Sequence, residues 1–480
     1  MVRMVRLNQG LMRWWCCKSP HLRMYYQWSP PPLTSSQEGV KHHVVDLRSD
    51  TVTKPTDGMK KAMMEALLGD DVYREDPTVS ELENRMMHLT GKDAALFVPS
   101  GTMGNLISLL AHCEHRGSEV LLGDLAHIFL YEQAGMAQLG GIQPHIIPTS
   151  HDGTYDAKEL VHRLRDEDVH CPRTTLICLE NTHNKCGGKV LPLSWIDEVG
   201  EVAKLLRLPV HMDGARLMNA SVASGESASR ILEACDTASI CFSKGLGTPV
   251  GSVIVGPEPF MYKALRLRKV LGGGMRQAGM LAAAALYSLD HMVDRLAHDH
   301  SHAQMLAQAI HQNGNKIASC HPSEVHTNIV VVEVNPDVLS PEEFCNRLSV
   351  VEEGEKSAVG DSIIVKVLPW TNTAVRFVTH HDVSTADIEA AAAKLKYVIQ
   401  EIDKNGCECC VFADYQSEAE RNEALQCRRG LGVEKSSLGA CCRPHSVNDA
   451  QRRLFEMAYV RVKIWGNHST LTTVMSVRPA

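Results

Sequence analysis

The sequence predicts an α/β protein: a large, mostly parallel sheet covered by helices, followed by a smaller C-terminal α/β unit. Two observations carry this. From Val44 to about Ile402, short apolar β-prone runs alternate with segments of helical period. A long helical pattern over about 280–312 then separates the main body of that text from a shorter stretch of the same kind.

The elements follow in order. Thr78-x-x-Glu81 matches a capping box and is expected to open a helix that ends at Gly91. Residues 94–98 (AALFV) are expected as a strand. Residues 99–104 turn the chain, and 105–110 continue as helix. Further strands are expected at 175–179 and 208–212, the second after a helical stretch, and around 240–242 and 251–256. Leu289, Met292, Val293, Leu296, Leu306 and Ile310 recur at helical spacing, and Asn313-Gly314 stops that helix. Its His298 and His302 stand at a spacing that can chelate a metal. With no third ligand evident, a solvated helix face is the better expectation. No internal repeat is present.

The chain has 480 residues, 44% hydrophobic and 22% charged, with a formal net charge of -7. Such values suit a globular chain of two or three domains. Without a basic, aromatic-studded stripe, nucleic acid is a poor partner. No apolar stretch approaches the roughly 18 residues needed to span a bilayer. Residues 1–43 read as a basic leader: Arg3, Arg6, Arg13, Lys18 and Arg23 precede the first acid, Glu38. That composition suggests a mitochondrial transit segment, although Trp14-Trp15-Cys16-Cys17 and Pro30-Pro31-Pro32 are atypical of one. A mitochondrial or cytoplasmic location is expected. Residues 404–480 read as a poorly ordered tail crowded with Cys407, Cys409, Cys410, Cys427, Cys441 and Cys442. Their C-x-C-C and C-C spacings differ from the paired C-x-x-C of a zinc site, so no metal is expected. The remaining cysteines fall in apolar runs, as free buried thiols do. Between the ends lie a large domain, 44–290, and a small one, 291–403; the N-terminal arm of the first is expected to join the second.

The chemistry centres on "SICFSKGLGTPVGS". Lys244 stands between two runs that look like core strands. Apolar surroundings favour a neutral, nucleophilic amine, the kind that forms a Schiff base. An earlier run, "PVHMDGARLMNA", ends in Asp213. In parallel sheets, ligands bind beyond the carboxyl ends of strands, so the two residues are expected to face one crevice. Pyridoxal phosphate needs both groups: an amine for its aldehyde and a carboxylate on its ring nitrogen. Ser100-Gly101-Thr102, between a strand and a helix, offers N–H groups to its phosphate. His127, in "GDLAHIFLYEQAG", offers a face for its ring.

With these motifs assembled, the chain resembles the L-threonine aldolases, pyridoxal-phosphate-dependent enzymes of fold type I, within the superfamily that also holds the aromatic amino acid beta-eliminating lyases. The similarity runs from about Val45 to Lys394. "DLRSDTVTKPT", "GDDVYREDPTV", "PSGTMGN", "LENTHN", "HMDGARLMNA", "SKGLGTPVGS", "GGGMRQAG" and "VRFVTHHDVS" occur in the family's order. One departure is the extra length around Lys185-Cys-Gly-Gly188, which bears on access to the pocket.

The resemblance implies that Lys244 bonds the cofactor and that Asp213 pairs with the pyridinium nitrogen. Gly101, Thr102 and Met103 hold the phosphate through backbone donors. His127 stacks on the ring and takes part in proton transfer. Ser49, Arg216 and Arg376 form the substrate carboxylate clamp, with Arg216 also touching the cofactor. His170 and Tyr73 are candidates near the substrate hydroxyl. Lys269 and Arg276 reach the phosphate or substrate across a subunit boundary, in a homodimer or homotetramer with shared sites. The implied reaction is cleavage of L-threonine or L-allo-threonine between Cα and Cβ, giving glycine and acetaldehyde. Two other readings share these residues: β-elimination from an aromatic amino acid, and a cofactor-binding scaffold without activity.

Overall fold

The structure, a computed structural model, describes residues 42–411 except 315 and 353. The basic leader up to residue 41, and Cys427, Cys441 and Cys442 of the tail, lie outside the described residues.

Among the described residues, thirteen strands follow in chain order: β1 (His43–Asp46), β2 (Ala94–Val98), β3 (Ser118–Gly123), β4 (Gln143–Ile147), β5 (Arg173–Glu180), β6 (Val210–Gly214), β7 (Thr237–Cys241), β8 (Ser252–Gly256), β9 (Ala318–Ser319), β10 (Ile329–Val334), β11 (Ile363–Lys366), β12 (Leu368–Pro369) and β13 (Ala374–Val378). Seven form the main sheet in the order β2-β8-β7-β6-β5-β3-β4. Only β8 runs against the rest, antiparallel to both β2 and β7. Every residue of β3, β6, β7 and β8 is buried, as strands covered on both faces require. Phe97, Leu121, Ile177, Met212, Ile240 and Val253 belong to the core around this sheet.

A second, antiparallel sheet has the order β12-β13-β10-β9. Beside it β1 pairs in parallel with β11, so the N-terminal strand reaches a partner some three hundred residues on. Val45, Val330, Phe344, Phe377 and Leu395 share the core there. The closing helix, Thr385–Val411, continues past residue 403.

Four local expectations are corrected. The helix expected from Thr78 is Pro77–Thr90, and its cap is Asp76, whose Oδ1 accepts from Thr78 N–H at 3.1 Å and Val79 N–H at 3.0 Å. Pro77 presets the first helical φ, and the Thr78 hydroxyl donates instead to Leu67 O at 2.7 Å. The helix expected from Asn105 begins at Gly101, because Ser100 Oγ accepts from Met103 N–H at 3.2 Å. The strand expected at 208–212 runs two residues later and so carries Asp213. The long helix is two, Gly279–His291 and Leu296–Asn313, broken by a turn. Met292 and Leu296 flank the break and pack into one core, so the apolar spacing carries across it unmarked.

His302 is also corrected. It is buried, not solvated, and its Nε2 meets Thr385 Oγ1 at 3.0 Å, tying its helix to the closing one. Cys113, Cys178, Cys235, Cys241, Cys320 and Cys345 are free and buried, as expected of thiols in apolar runs.

Candidate active site

The carboxyl ends of β2, β3, β5, β6 and β7 share one edge of the main sheet. Register fixes this: Glu180 of β5 faces Asp213 of β6, and Asp213 faces Ser239 of β7. That edge carries Gly101, His127, Glu180, Asp213 and Lys244, the place where open parallel sheets bind ligands.

Lys244 follows the end of β7. Its carbonyl accepts from Gly247 N–H at 2.8 Å, closing a tight turn. Gly247 has φ +76, and a Cβ there would lie 2.5 Å from His381 Nε2. Conformation and close approach thus both demand glycine. The Lys244 charge acts on two carboxylate–base partners of this edge: it helps to hold Asp50 down and works against protonation of His127.

Asp213 is 3% exposed. Its donors are Asn105 Nδ2 at 3.0 Å and Ala215 N–H at 3.1 Å, and neither carries charge. A buried carboxylate that has only neutral donors is a fitting seat for a protonated ring nitrogen. Nearby, the helix from Gly101 presents first-turn N–H groups that have no carbonyl within the helix. A Cβ on Gly101 would stand 2.5 Å from Cys241 Sγ, so this turn lies directly against the end of β7. The residues present therefore fit pyridoxal phosphate.

His127 opens the short helix His127–Leu130. Its N–H donates to Glu180 Oε2 at 2.6 Å, and its Nδ1 meets Glu132 Oε1 at 3.2 Å. Burial works to lower the imidazolium pKa, but Glu132, Asp213 and Glu180 outweigh it, and the pKa is raised. Ligand atoms of His127, Glu132 and Asp213 all lie within 4.8 Å of one another.

Arg216 is not an open clamp. Its Nε and Nη2 bind Asp50 Oδ2 and Oδ1, both at 2.7 Å, and Asn328 Nδ2 adds a third contact to Asp50 at 3.2 Å. Burial pushes the Asp50 carboxyl up, yet Arg216, Lys244 and Asn328 hold it far below the usual range. Arg376, on β13, donates to Asn184 Oδ1 at 3.0 Å and to the Arg48 carbonyl at 3.2 Å. Its guanidinium lies 4.2 Å from the ring centroid of Trp370. The contact with Arg48 brings it beside Ser49, whose Oγ accepts from Thr51 Oγ1 at 2.9 Å.

Of the remaining candidates, Tyr73, Lys269 and Arg276 gather around the turn at 273–276, which packs on Met103, and His170 lies apart. Tyr73 is 70% exposed, and Arg276 spans it at 5.8 Å while pairing with Asp70 at 2.9 Å. Lys269, exposed near the end of the Glu258–Val270 helix, approaches the same face through Gly274. His170 sits in an exposed turn before β5, at the opposite end of that strand from Glu180. Eight residues of strand separate those ends by roughly 25 Å. The chain itself therefore does not bring His170 to the site.

Sequence reasoning missed Asp50, Asn105, Glu132, Glu180 and Asn184. Each lies inside a quoted motif, but a polar side chain beside a motif residue carries no local mark of its partner.

The beta-eliminating lyase family matches residues 46–335. A low-specificity L-threonine aldolase 1 of Arabidopsis thaliana is 44% identical over 346 residues, 72% of this chain and 93% of that protein. A low specificity L-threonine aldolase of Escherichia coli (strain K12) is 42% identical over 351 residues, 73% of this chain and 98% of that one. Among solved structures, the Leishmania major threonine aldolase superposes with a TM-score of 0.60 at 19% identity, covering 74% of this chain and 99% of its own.

Proposed function

The chain belongs to the beta-eliminating lyase family, as a member of its threonine aldolase branch, and from that premise we propose that it cleaves L-threonine, L-allo-threonine or both to glycine and acetaldehyde, with pyridoxal phosphate as cofactor. The observation that carries this is Asp213: a buried carboxylate with neutral donors, on the sheet edge that also bears Lys244. When bound, the cofactor supplies a conjugated ring that stores the electrons released at the substrate Cα.

The chain's own residues do the rest. Lys244 would supply the amine that holds the cofactor. Asp213 would pair with the ring nitrogen. The first-turn N–H groups of Gly101 and Thr102 would hold the phosphate, with Met103 N–H shared with the capping Ser100 Oγ. Arg376, braced by Asn184 and the Arg48 carbonyl, orients the substrate carboxylate beside Ser49. That grip on the carboxylate would fix the orientation of the substrate's Cα bonds in the site. Arg216 has two of its nitrogens committed to Asp50, so it contributes charge and shape more than a free fork. His127, held at Nδ1 by Glu132, would move the proton.

A homodimer or homotetramer with shared sites completes the reading. Its support is a set of exposed apolar side chains, Leu67 at 72%, Tyr73 at 70% and Val270 at 76%, with Arg276 over the Tyr73 ring. The test is direct: purified protein with pyridoxal phosphate is given L-threonine, and acetaldehyde and glycine are measured. Release of indole or phenol from aromatic amino acids instead, or bound cofactor with no product from either, would overturn the assignment.

A further inference from the structure

A line of hydrogen bonds runs along one face of the main sheet, under the Gly101–His112 helix, and ends on the two carboxylates of the site. His112 Nε2 meets Thr237 Oγ1 at 2.9 Å, and Thr237 Oγ1 meets His211 Nδ1 at 2.9 Å. His211 Nε2 meets Asn105 Oδ1 at 3.2 Å. Asn105 Nδ2 then reaches Asp213 Oδ2 at 3.0 Å and Glu132 Oε1 at 2.9 Å. Asn105 is 2% exposed, and His211 and Thr237 are 0% exposed.

The backbone sets these residues in line. His211 and Asp213 are two apart on β6 and so share a face, and Thr237 of β7 is the register partner of His211. Asn105 and His112 are two helical turns apart on the Gly101–His112 helix, on the side that meets those strands.

The donors can be assigned from one end. Two carboxylate oxygens flank one side of the Asn105 amide, so that side must be the NH₂ group. Its oxygen then faces His211, whose Nε2 must carry the hydrogen. Burial, with the charge of nearby His112, takes the His211 pKa to about 3, so the ring is neutral and Nδ1 is an acceptor. The Thr237 hydroxyl donates to that Nδ1 and accepts from His112 Nε2–H. Burial lowers the His112 pKa to about 4, against the pull of Asp236 and with the push of Lys263. Every link thus points one way, toward Asp213 and Glu132.

We propose that His211, fixed by Thr237 and His112, is a positioning residue of the cofactor site, holding the Asn105 amide with its nitrogen on Asp213 and Glu132. The role rests on the reading of Asp213 as the partner of the ring nitrogen. Turning the amide over would set its oxygen against both carboxylates. Asp213 would then lose its side-chain donor, keeping only Ala215 N–H, and Glu132, which also meets His127 Nδ1, would lose the Asn105 contact.

The test uses the full-length holoenzyme with Thr237→Val and Thr237→Ser. Three quantities are read: the dissociation constant for pyridoxal phosphate, the pH midpoint of the bound cofactor's absorbance, and kcat and KM for threonine. Thr237→Val weakens cofactor binding, moves the midpoint and lowers kcat on the order of tenfold, with KM little changed. Thr237→Ser keeps the hydroxyl and restores all three. His211→Phe gives the same signature from the next link, should the valine variant fold poorly. A lowered melting temperature with unchanged affinity, midpoint and kcat in these variants overturns the proposal, because the network is then only structural. If the unmutated protein neither binds pyridoxal phosphate nor cleaves threonine, the functional reading fails, and the positioning role fails with it.

Discussion

Arg216 grips Asp50 through two parallel bonds of 2.7 Å, in a pair with side-chain exposures of 5% and 0%. The charges lie 166 residues apart in sequence, and the Lys244 charge also acts on Asp50. Removing one partner leaves the other buried and uncompensated. Asp50→Ala should therefore cost about 3–5 kcal/mol of stability, measured by urea denaturation. A loss within experimental error of zero would show that the pair does not hold the fold.

The same pair sets an acid response. The folded pKa of Asp50 is depressed, so its contribution is full above the unfolded value of about 4 and is lost as pH falls toward the folded one. Wild-type protein should lose stability in that window more steeply than Asp50→Asn, as followed by thermal melts below pH 5. Parallel acid curves would count against the depressed carboxyl.

Lys244→Ala should abolish threonine cleavage and the absorbance of covalently bound cofactor. Lys244→Arg should fail equally, since a guanidinium does not deprotonate in proteins. An unchanged cofactor band in the alanine variant would mean that another lysine carries the cofactor. Asp213→Asn should keep the cofactor bond but slow C–C cleavage by orders of magnitude. A rate within about threefold of wild type, under roughly 1 kcal/mol, would remove Asp213 from the ring nitrogen.

Arg376→Ala should weaken productive substrate binding. One lost charge-assisted contact is worth about 1.5–3 kcal/mol, a ten- to hundredfold fall in kcat/KM for threonine. The indole of Trp370 also loses one of its two cations, with Lys185 Nζ remaining 4.2 Å from its centroid, so a small drop in melting temperature should accompany the change. Saturation by threonine at unaltered concentrations would refute the clamp.

Glu132→Gln should lower the His127 pKa. Burial already pulls it down, and Glu132 is the largest of the groups that raise it. The limb of the pH–rate profile that reports His127 should shift toward acid, and a histidine titration by NMR should show the same displacement. An unmoved limb would separate His127 from proton transfer.

The types of element were legible because they are local. Short apolar runs such as 94–98 and the Ser-Lys-Gly-Leu-Gly turn carry their structure in neighbouring residues. Placing Asp213 and Lys244 at strand ends followed from the same runs, and the structure sets both at one sheet edge. Boundaries were less legible where two signals competed. Asp76 outbid Thr78 as a cap because Pro77 lay between them, and the break after His291 hid inside an unbroken apolar period.

What the sequence determined by itself was the fold class, the placing of Lys244 and Asp213 at strand ends, and the family to which their motifs point. Only the tertiary structure decided how the buried polar groups are partnered. Arg216 is committed to Asp50, Asn105 joins Asp213 to Glu132, and His170 stays at the far end of β5. The physical reason is sheet order. A buried charge or amide must find its partner among whatever side chains neighbouring strands bring alongside it, and that adjacency is set by the order of strands, not by distance along the chain.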